Sequence, residues 1–151
     1  GGYNPRVTQG KPLPAIALDV GEARIGLAAC DRSGRFAFGR GYHVRGKGRE
    51  GTAAAVAAVR ELFEREGAAV VVVGLPLRTD GRDSPQTNRV RAFAAALEEA
   101  GLPVRLVDER FTTRIAGQAL LAAKSKAQRR EKGLTDEASA VAILETYLQR
   151  A

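Results

Sequence analysis

Short apolar runs separated by turn residues make up the first interpretable part of the chain. Residues 15–20 and 25–30 are apolar and strand-sized, and residues 21–24 between them suit a hairpin turn. Residues 31–34 form a second turn of the hairpin kind, after which a third strand is predicted around residues 36–42. Because tight turns join strands that lie side by side, these three strands are predicted to be antiparallel neighbours.

The apolar spacing then changes from that of a strand to that of a helix. Val56, Val59 and Phe63 recur at helical intervals, which predicts a helix over residues 52–66. The following segment, residues 69–73, is apolar at every position, as is typical of a buried parallel strand. This succession of helix and strand predicts a crossover connection.

A second helix and strand repeat the same unit. Ser84 followed by Pro85 is a typical helix start, and Gly101 is a typical helix end. Residues 103–107 form the next apolar strand, so a second parallel crossover is predicted.

Two further helices complete the prediction. One begins at Thr112 or Thr113 and runs to about Ala123; a basic linker over residues 124–133 then precedes a last helix over residues 135–149. The order βββαβαβαα predicts an α/β fold: a mixed five-stranded sheet, with three antiparallel strands and then two parallel ones, flanked by helices.

The expected organisation is a flexible tail over residues 1–14 followed by a single domain over residues 15–151. The tail does not resemble a signal peptide, and no run approaches the ~20 apolar residues of a membrane span. We therefore expect a cytoplasmic protein.

Composition removes several classes of mechanism. The chain of 151 residues contains a single cysteine, Cys30, and a single histidine, His43. This excludes an internal disulfide framework, multi-cysteine zinc sites and metal sites that need two histidines. Carboxylates remain as the candidate chemical groups, on a chain with 24 Lys and Arg, 17 Asp and Glu and a net charge of +7.

Four acidic residues stand at predicted strand ends or at a helix start: Asp19, Asp108, Glu109 and Asp136. Each has an ordinary structural interpretation, since Asp is common at turns, at strand ends and in the first turn of a helix. Gathered at one sheet edge, however, carboxylates repel one another unless a cation binds, which favours a site for Mg²⁺ or Mn²⁺. Two such ions could support hydrolysis of a phosphodiester. Strand alternation places Asp108 and Glu109 on opposite faces but does not select between them.

Several segments together resemble the YqgF family, also called RuvX, over about residues 15–150. The matching segments are Ala-Leu-Asp-Val-Gly at 17–21, Arg-Ile-Gly-Leu-Ala at 24–28, Asp31, Val-Gly-Leu-Pro-Leu at 73–77, Gly81, Asp-Glu-Arg-Phe-Thr-Thr at 108–113, and Lys132 with Asp136 and Ala138. Members of this family are described as Holliday-junction resolvases related to RuvC, and are proposed to mature the ends of ribosomal RNA precursors.

The resemblance implies an RNase H-like fold and phosphodiester hydrolysis that depends on divalent metal, Mg²⁺ or Mn²⁺. By the same resemblance, the catalytic and metal-binding acids fall on Asp19, Glu109 and Asp136, which selects Glu109 over Asp108. It also implies structured nucleic acid as the partner, either branched DNA or precursor ribosomal RNA, and often a homodimer.

Basic residues flank these acids in the chain and form a candidate surface for positioning phosphates. They are Arg24, Arg78, Arg82, Arg110, Arg114, Lys124, Lys126, Arg129, Arg130 and Lys132. The ordinary interpretation of residues 124–132 is a solvated charged linker. Aromatic residues make up only 5% of the chain, which argues against a single-strand-binding protein that stacks bases on aromatic rings.

Two other functions fit parts of the sequence. Residues 19–26 also resemble the first phosphate loop of actin-like ATPases, but those enzymes need a duplicated domain, and 151 residues have room for one. The second is a non-catalytic RNA-binding or ribosome-binding factor that keeps the fold. It predicts that binding survives loss of the acids and that no cleavage occurs.

Overall fold

The fold is built on a five-stranded mixed sheet in the order β3-β2-β1-β4-β5. The structure is a computed structural model that describes residues 11–111 and 132–149. In chain order the elements are β1 Ala15–Val20, β2 Arg24–Cys30, β3 Ala37–Val44, α1 Gly48–Arg65, β4 Val70–Leu75, α2 Pro85–Glu99, β5 Val104–Asp108, a 3-10 turn Glu109–Phe111, and α3 Lys132–Gln149. β1 pairs antiparallel with β2, as the sequence predicted, and parallel with β4.

Alternation along β1 divides the core between the two faces of the sheet. Ile16, Leu18 and Val20 pack into the cluster that includes residues of α1 and α2, whereas Ala15 and Ala17 pack into the cluster under α3. A fully buried aliphatic side chain contributes roughly 1.5–3 kcal/mol, so both faces stabilise the sheet. We call the side covered by α3 the α3 face.

Small residues on the α3 face let the last helix approach the sheet closely. A Cβ atom at Gly26 would lie 1.9 Å from the backbone carbonyl oxygen of Asp136, where no side chain could fit. Alanines at positions 15, 17 and 28 are fully buried on this face. The position of Asp136 over β2 therefore depends on the absence of a side chain at residue 26.

The edge strand β3 contains a β-bulge. Gly26 pairs with Tyr42 and Ala28 pairs with Gly39, so one residue of β2 lies opposite two residues of β3. Gly41, inside the bulge, has a φ of 79°, which glycine adopts without steric cost. Its N–H group donates a 2.6 Å hydrogen bond to the Glu137 carboxylate of α3. The bulge is thus fixed to the helix that covers the sheet.

The predicted succession of strands and helices and the mixed sheet are confirmed, but two helices begin earlier than predicted. α1 begins at Gly48, and α3 begins at Lys132. Thr52 and Thr135 are good capping residues, yet neither begins its helix. A Cβ atom at Gly51 would lie 2.2 Å from the Gly46 carbonyl, so glycine allows close packing at the beginning of α1.

The predicted helix over residues 112–123 and most of the basic linker fall in the segment that the structure does not describe. At the other end of the chain, Lys11 Nζ donates a hydrogen bond to the Leu148 carbonyl, and the Tyr147 hydroxyl donates one to the Pro12 carbonyl. This part of the predicted tail therefore contacts α3. Among the described helices, none is both long and apolar enough to cross a membrane.

Candidate active site

Asp19 lies near the carboxyl end of β1, on the α3 face. Its side chain is half-buried. In the antiparallel register Asp19 pairs with Gly26, and directly paired residues project to the same side of a sheet. Since Asp136 covers Gly26, β1 and β2 bring Asp19 to the region beneath the beginning of α3.

Glu109 follows β5 and returns to the same face. Gly74 pairs with Val107, which packs into the core cluster under α3, and a Cβ atom at Gly74 would lie 3.0 Å from Glu109 Cγ. The same position would lie 2.4 Å from Ile143 Cδ1 of α3. β4 runs between β1 and β5, so Gly74 leaves space on the α3 face between the strands that carry Asp19 and Glu109.

Asp136 lies in the second turn of α3 and forms an ion pair with Arg24 at the start of β2. Arg24 Nε donates to Asp136 Oδ2 over 2.9 Å, and the two side chains are 27% and 23% exposed. A partly shielded, charge-assisted pair of this kind orients both groups. Arg24 therefore fixes the carboxylate of Asp136 at the edge of the α3 face.

Asp108 lies on the opposite face from Glu109. It pairs with Leu75, which belongs to the core cluster under α1 and α2. Its carboxylate accepts a 2.7 Å bond from Arg110 Nη2 and a 2.9 Å bond from the Arg110 backbone N–H. The side-chain hydrogen bond to Asp108 raises the pKa of the Arg110 guanidinium above its usual value. In this structure Asp108 holds Arg110 and lies away from the α3 face.

The loop after β4 joins Arg110 in a basic cluster at the same sheet edge. Arg82 Nε lies 2.9 Å from an oxygen of Asp80, and Arg78 Nε lies 3.8 Å from the other. Hydrogen bonds from the Arg82 backbone and side chain lower the pKa of Asp80. Arg110 reaches this loop through a 3.4 Å bond to the Thr79 carbonyl. The arginines at 78, 82 and 110 therefore lie together, each beside a carboxylate.

The side chains of the other basic residues predicted to bind phosphate, apart from Arg24, are not described by the structure. Lys132 is the first residue of α3, where the structure defines the backbone but not the side chain. Those in the undescribed segment are Arg114, Lys124, Lys126, Arg129 and Arg130.

The donor chemistry of Asp19, Glu109 and Asp136 fits a hard divalent cation, because such ions prefer carboxylate oxygens. The absence of a side chain at residue 74 lets the side chains of Glu109 and Ile143 pack against β4. Across residues 11–111 and 132–149, no three acidic, His or Cys side chains are arranged so that they could hold one metal ion. The Arg24 ion pair engages an oxygen of Asp136 in the conformation described.

Sequence reasoning missed the glycines and Glu137. Gly26 and Gly74 leave the space in which α3 and Glu109 pack, and the Glu137 side chain lies over Gly39 and holds the bulge at Gly41. A glycine inside an otherwise apolar strand is a known signal of close approach, and both Gly26 and Gly74 carry it. No comparable signal distinguishes Glu137 from an ordinary exposed helix residue.

Comparison with known proteins agrees with this architecture. Residues 14–150 match the family model described as "RuvX: Holliday junction resolvase". A Thermus thermophilus protein named "Putative pre-16S rRNA nuclease" is 49% identical over 134 residues, which cover 89% of this chain and 96% of the relative. A Deinococcus radiodurans protein named "Ribonuclease YqgF" is 44% identical over 150 residues, covering 96% of this chain and 98% of the relative.

Solved structures show the same fold at low sequence identity. T. thermophilus RuvC in complex with a Holliday junction substrate has a TM-score of 0.56 at 15% identity, covering 91% of this chain and 97% of RuvC. The Fowlpox virus resolvase, solved with Holliday junction DNA, has a TM-score of 0.54 at 12% identity, with the same coverage. The sheet is therefore RNase H-like, as in RuvC-like resolvases. From the family match and the identity to named nucleases, we conclude that the chain belongs to the RuvX (YqgF) family of nucleases.

Proposed function

We propose that this protein hydrolyses phosphodiester bonds in structured nucleic acid and that divalent metal, Mg²⁺ or Mn²⁺, is required. The observation that carries the proposal is the placement of Asp19, Glu109 and Asp136 on the α3 face, at one edge of the sheet, in a chain of a nuclease family. Precursor ribosomal RNA and junction-like DNA are the two substrate classes, from the names of the relatives and the family model. Both are found in the cytoplasm of a bacterial cell, where we place the activity.

In this proposal Asp19, Glu109 and Asp136 hold the metal as two ions. Metal held by these acids would supply the chemistry of water activation and leaving-oxygen stabilisation. A water oxygen forms the new bond to phosphorus, the bond from phosphorus to one ester oxygen breaks, and that oxygen takes a proton. Arg24 holds the Asp136 carboxylate in place until substrate and metal enter.

The arginine cluster at positions 78, 82 and 110 is proposed to hold phosphates beside the bond that is cleaved. In the structure each of these arginines pairs with a carboxylate, that of Asp80 or that of Asp108. Exposed ion pairs contribute only about 0–1 kcal/mol, so exchange of a carboxylate for a phosphate costs little. The planar guanidinium group suits phosphate oxygens, which it binds in bidentate fashion.

The test is cleavage of a four-way DNA junction and of a precursor-like structured RNA by wild type and Asp19→Asn. Mg²⁺, Mn²⁺ and EDTA form the three metal conditions. We expect cleavage of at least one substrate with metal, none in EDTA, and a loss of about 100-fold or more in the variant.

Asp31→Asn is the matched control, because Asp31 is half-buried like Asp19 but lies in the turn that follows β2, at the other end of the sheet. It should cleave like wild type. Failure of the wild type to cleave any substrate with either metal, or equal cleavage by Asp19→Asn, would overturn the proposal. Wild-type binding without cleavage would instead favour the non-catalytic assembly factor.

A homodimer, which the family resemblance implies, is a further expectation. Sedimentation of the purified protein at micromolar concentration measures it directly. A monomer mass at these concentrations would contradict this part of the proposal.

A further inference from the structure

The edge strand β3 and its flanks combine exposed aromatic residues with positive charge. Residues 32–49 contain six cationic side chains and no Asp or Glu. Large apolar side chains are exposed along the same strand: Phe36 at 60%, Phe38 at 45%, Tyr42 at 41% and Val44 at 65%. Acidic groups contact this strand from other elements, since Glu66 pairs with Arg40 and Glu137 bonds to Gly41. Aromatic rings among cations nevertheless match the chemistry of bases and phosphates in unpaired nucleic acid.

Tyr42 is the residue of this strand that lies in line with the candidate active site. Asp19 pairs with Gly26, and Gly26 pairs with Tyr42, so the three residues form one row across β1, β2 and β3. Neighbouring strands lie about 4.8 Å apart, which places the backbone of Tyr42 about 10 Å from that of Asp19. The beginning of α3 lies over Gly26, between the two residues, so a base would reach the Tyr42 ring by passing beside that end of the helix.

The bulge determines which side chain occupies this place. Continued from the Ala28–Gly39 pair without an extra residue, the ladder would place Gly41 opposite Gly26. The bulge places Tyr42 there instead, and the hydrogen bond from the Gly41 N–H to Glu137 holds it. β-bulges commonly redirect a side chain next to an active site. Glu137 follows Asp136 in α3, so one turn of helix fixes both the third acid and the tyrosine.

The other aromatic residues of the strand are placed differently. Phe38 pairs with Ala29 on the face opposite α3, and the Arg40 guanidinium lies 5.6 Å from the centre of its ring. Phe36 precedes β3 and bonds to the turn at Asp31, at the far end of the strand from Tyr42. Phe36 is therefore an exposed aromatic residue remote from the acids.

We propose that Tyr42 stacks on an unpaired base beside the phosphodiester bond at the acidic site. The inference rests on the proposed nuclease function and specifies its substrate: structured nucleic acid with an unpaired or unstacked nucleotide next to the cleavage position. It also qualifies the expectation drawn from the low aromatic content, because three of the eight aromatic residues are exposed at this one edge.

The test places 2-aminopurine, whose fluorescence reports stacking, at unpaired positions of the junction and of the structured RNA. Binding is measured in Ca²⁺, with the integrity of the substrate checked on gels. We expect wild type to change the fluorescence at one or two positions, and Tyr42→Ala to abolish that change and weaken binding about 5- to 100-fold. Tyr42→Phe, which keeps the ring, should retain both.

Phe36→Ala is the matched control, since it removes a more exposed ring at the far end of β3. It should bind like wild type, and thermal melting should show all three variants folded. An unchanged 2-aminopurine signal and affinity in Tyr42→Ala would overturn the stacking proposal. A change in oligomeric mass as the sole effect of Tyr42→Ala would also overturn it, and would identify β3 as a protein-docking edge.

Failure of the nuclease proposal can be distinguished from failure of the stacking proposal. A wild type that cleaves nothing but keeps the Tyr42-dependent signal overturns the nuclease function and supports stacking. A wild type that cleaves while Tyr42→Ala binds and cleaves equally well overturns stacking alone.

Discussion

Asp108 and Glu109 are adjacent in the chain but lie on opposite sides of the sheet. Asp108 is the last residue of β5, and its carboxylate is bonded to Arg110. Glu109 lies beside Gly74, against the helix that carries Asp136. One step along the backbone therefore separates a residue that holds an arginine from a candidate metal ligand.

This difference predicts a clear ranking of two conservative variants. Glu109→Gln should lower the rate of cleavage by about 100-fold or more, because it removes a negative ligand from the site. Asp108→Asn should cost at most about fivefold, the value of a partly exposed ion pair. Single-turnover cleavage under saturating protein measures both rates. The reverse ranking would show that Asp108, not Glu109, serves the acidic site.

At the scale of elements, the contact between α3 and β2 decides where Asp136 lies. A Cβ atom at Gly26 would lie 1.9 Å from the backbone carbonyl oxygen of Asp136 and overlap it. Neither atom could move away by a side-chain rotation, because the Cβ is fixed to β2 and the carbonyl is part of α3. The helix would have to shift away from the sheet. Its second turn carries both Asp136, bonded to Arg24, and Glu137, bonded to the bulge of β3.

Gly26→Ala is therefore expected to destabilise the fold by about 1–3 kcal/mol, as overpacking does, and to impair cleavage as well. Gly46→Ala is the matched control, because its Cβ position has its nearest contact at 3.4 Å and residue 46 is exposed. That variant should change stability by no more than about 0.5 kcal/mol. Urea unfolding measures both free energies, and equal stability of the two variants would contradict the packing described.

At the scale of the whole molecule, the excess positive charge is expected to act locally at the sheet edge. Arg78→Gln should weaken substrate binding and reduce the slope of log affinity against log salt by about 1, the contribution of one phosphate contact. Arg65→Gln is the control, since Arg65 ends α1 and its side chain is 59% exposed, close to the 61% of Arg78. Equal slopes for the two variants would show that the positive charge acts through the molecule's net charge alone.

The succession of strands and helices and the mixed sheet were predictable because alternation and helical spacing are local properties of the sequence. The helix starts were not, since Thr52 and Thr135 resemble caps while tertiary packing carries both helices further towards their amino ends. The assignment of Glu109 from the residues alone was also out of reach, because it depends on the register of β5 against β4. The bulge at Gly41 was not predictable either, because it depends on how β3 pairs with β2.

The central claim is that the acids on the α3 face act as one site, and a double-mutant cycle on Asp19 and Glu109 tests it most directly. Cleavage rates are measured for Asp19→Asn, Glu109→Gln and the double variant on the same substrate with Mn²⁺. Groups that act as a unit are strongly non-additive, so the double variant should cleave about as slowly as the slower single variant. Two losses that multiply, or a single variant that cleaves at the wild-type rate, would contradict a shared site.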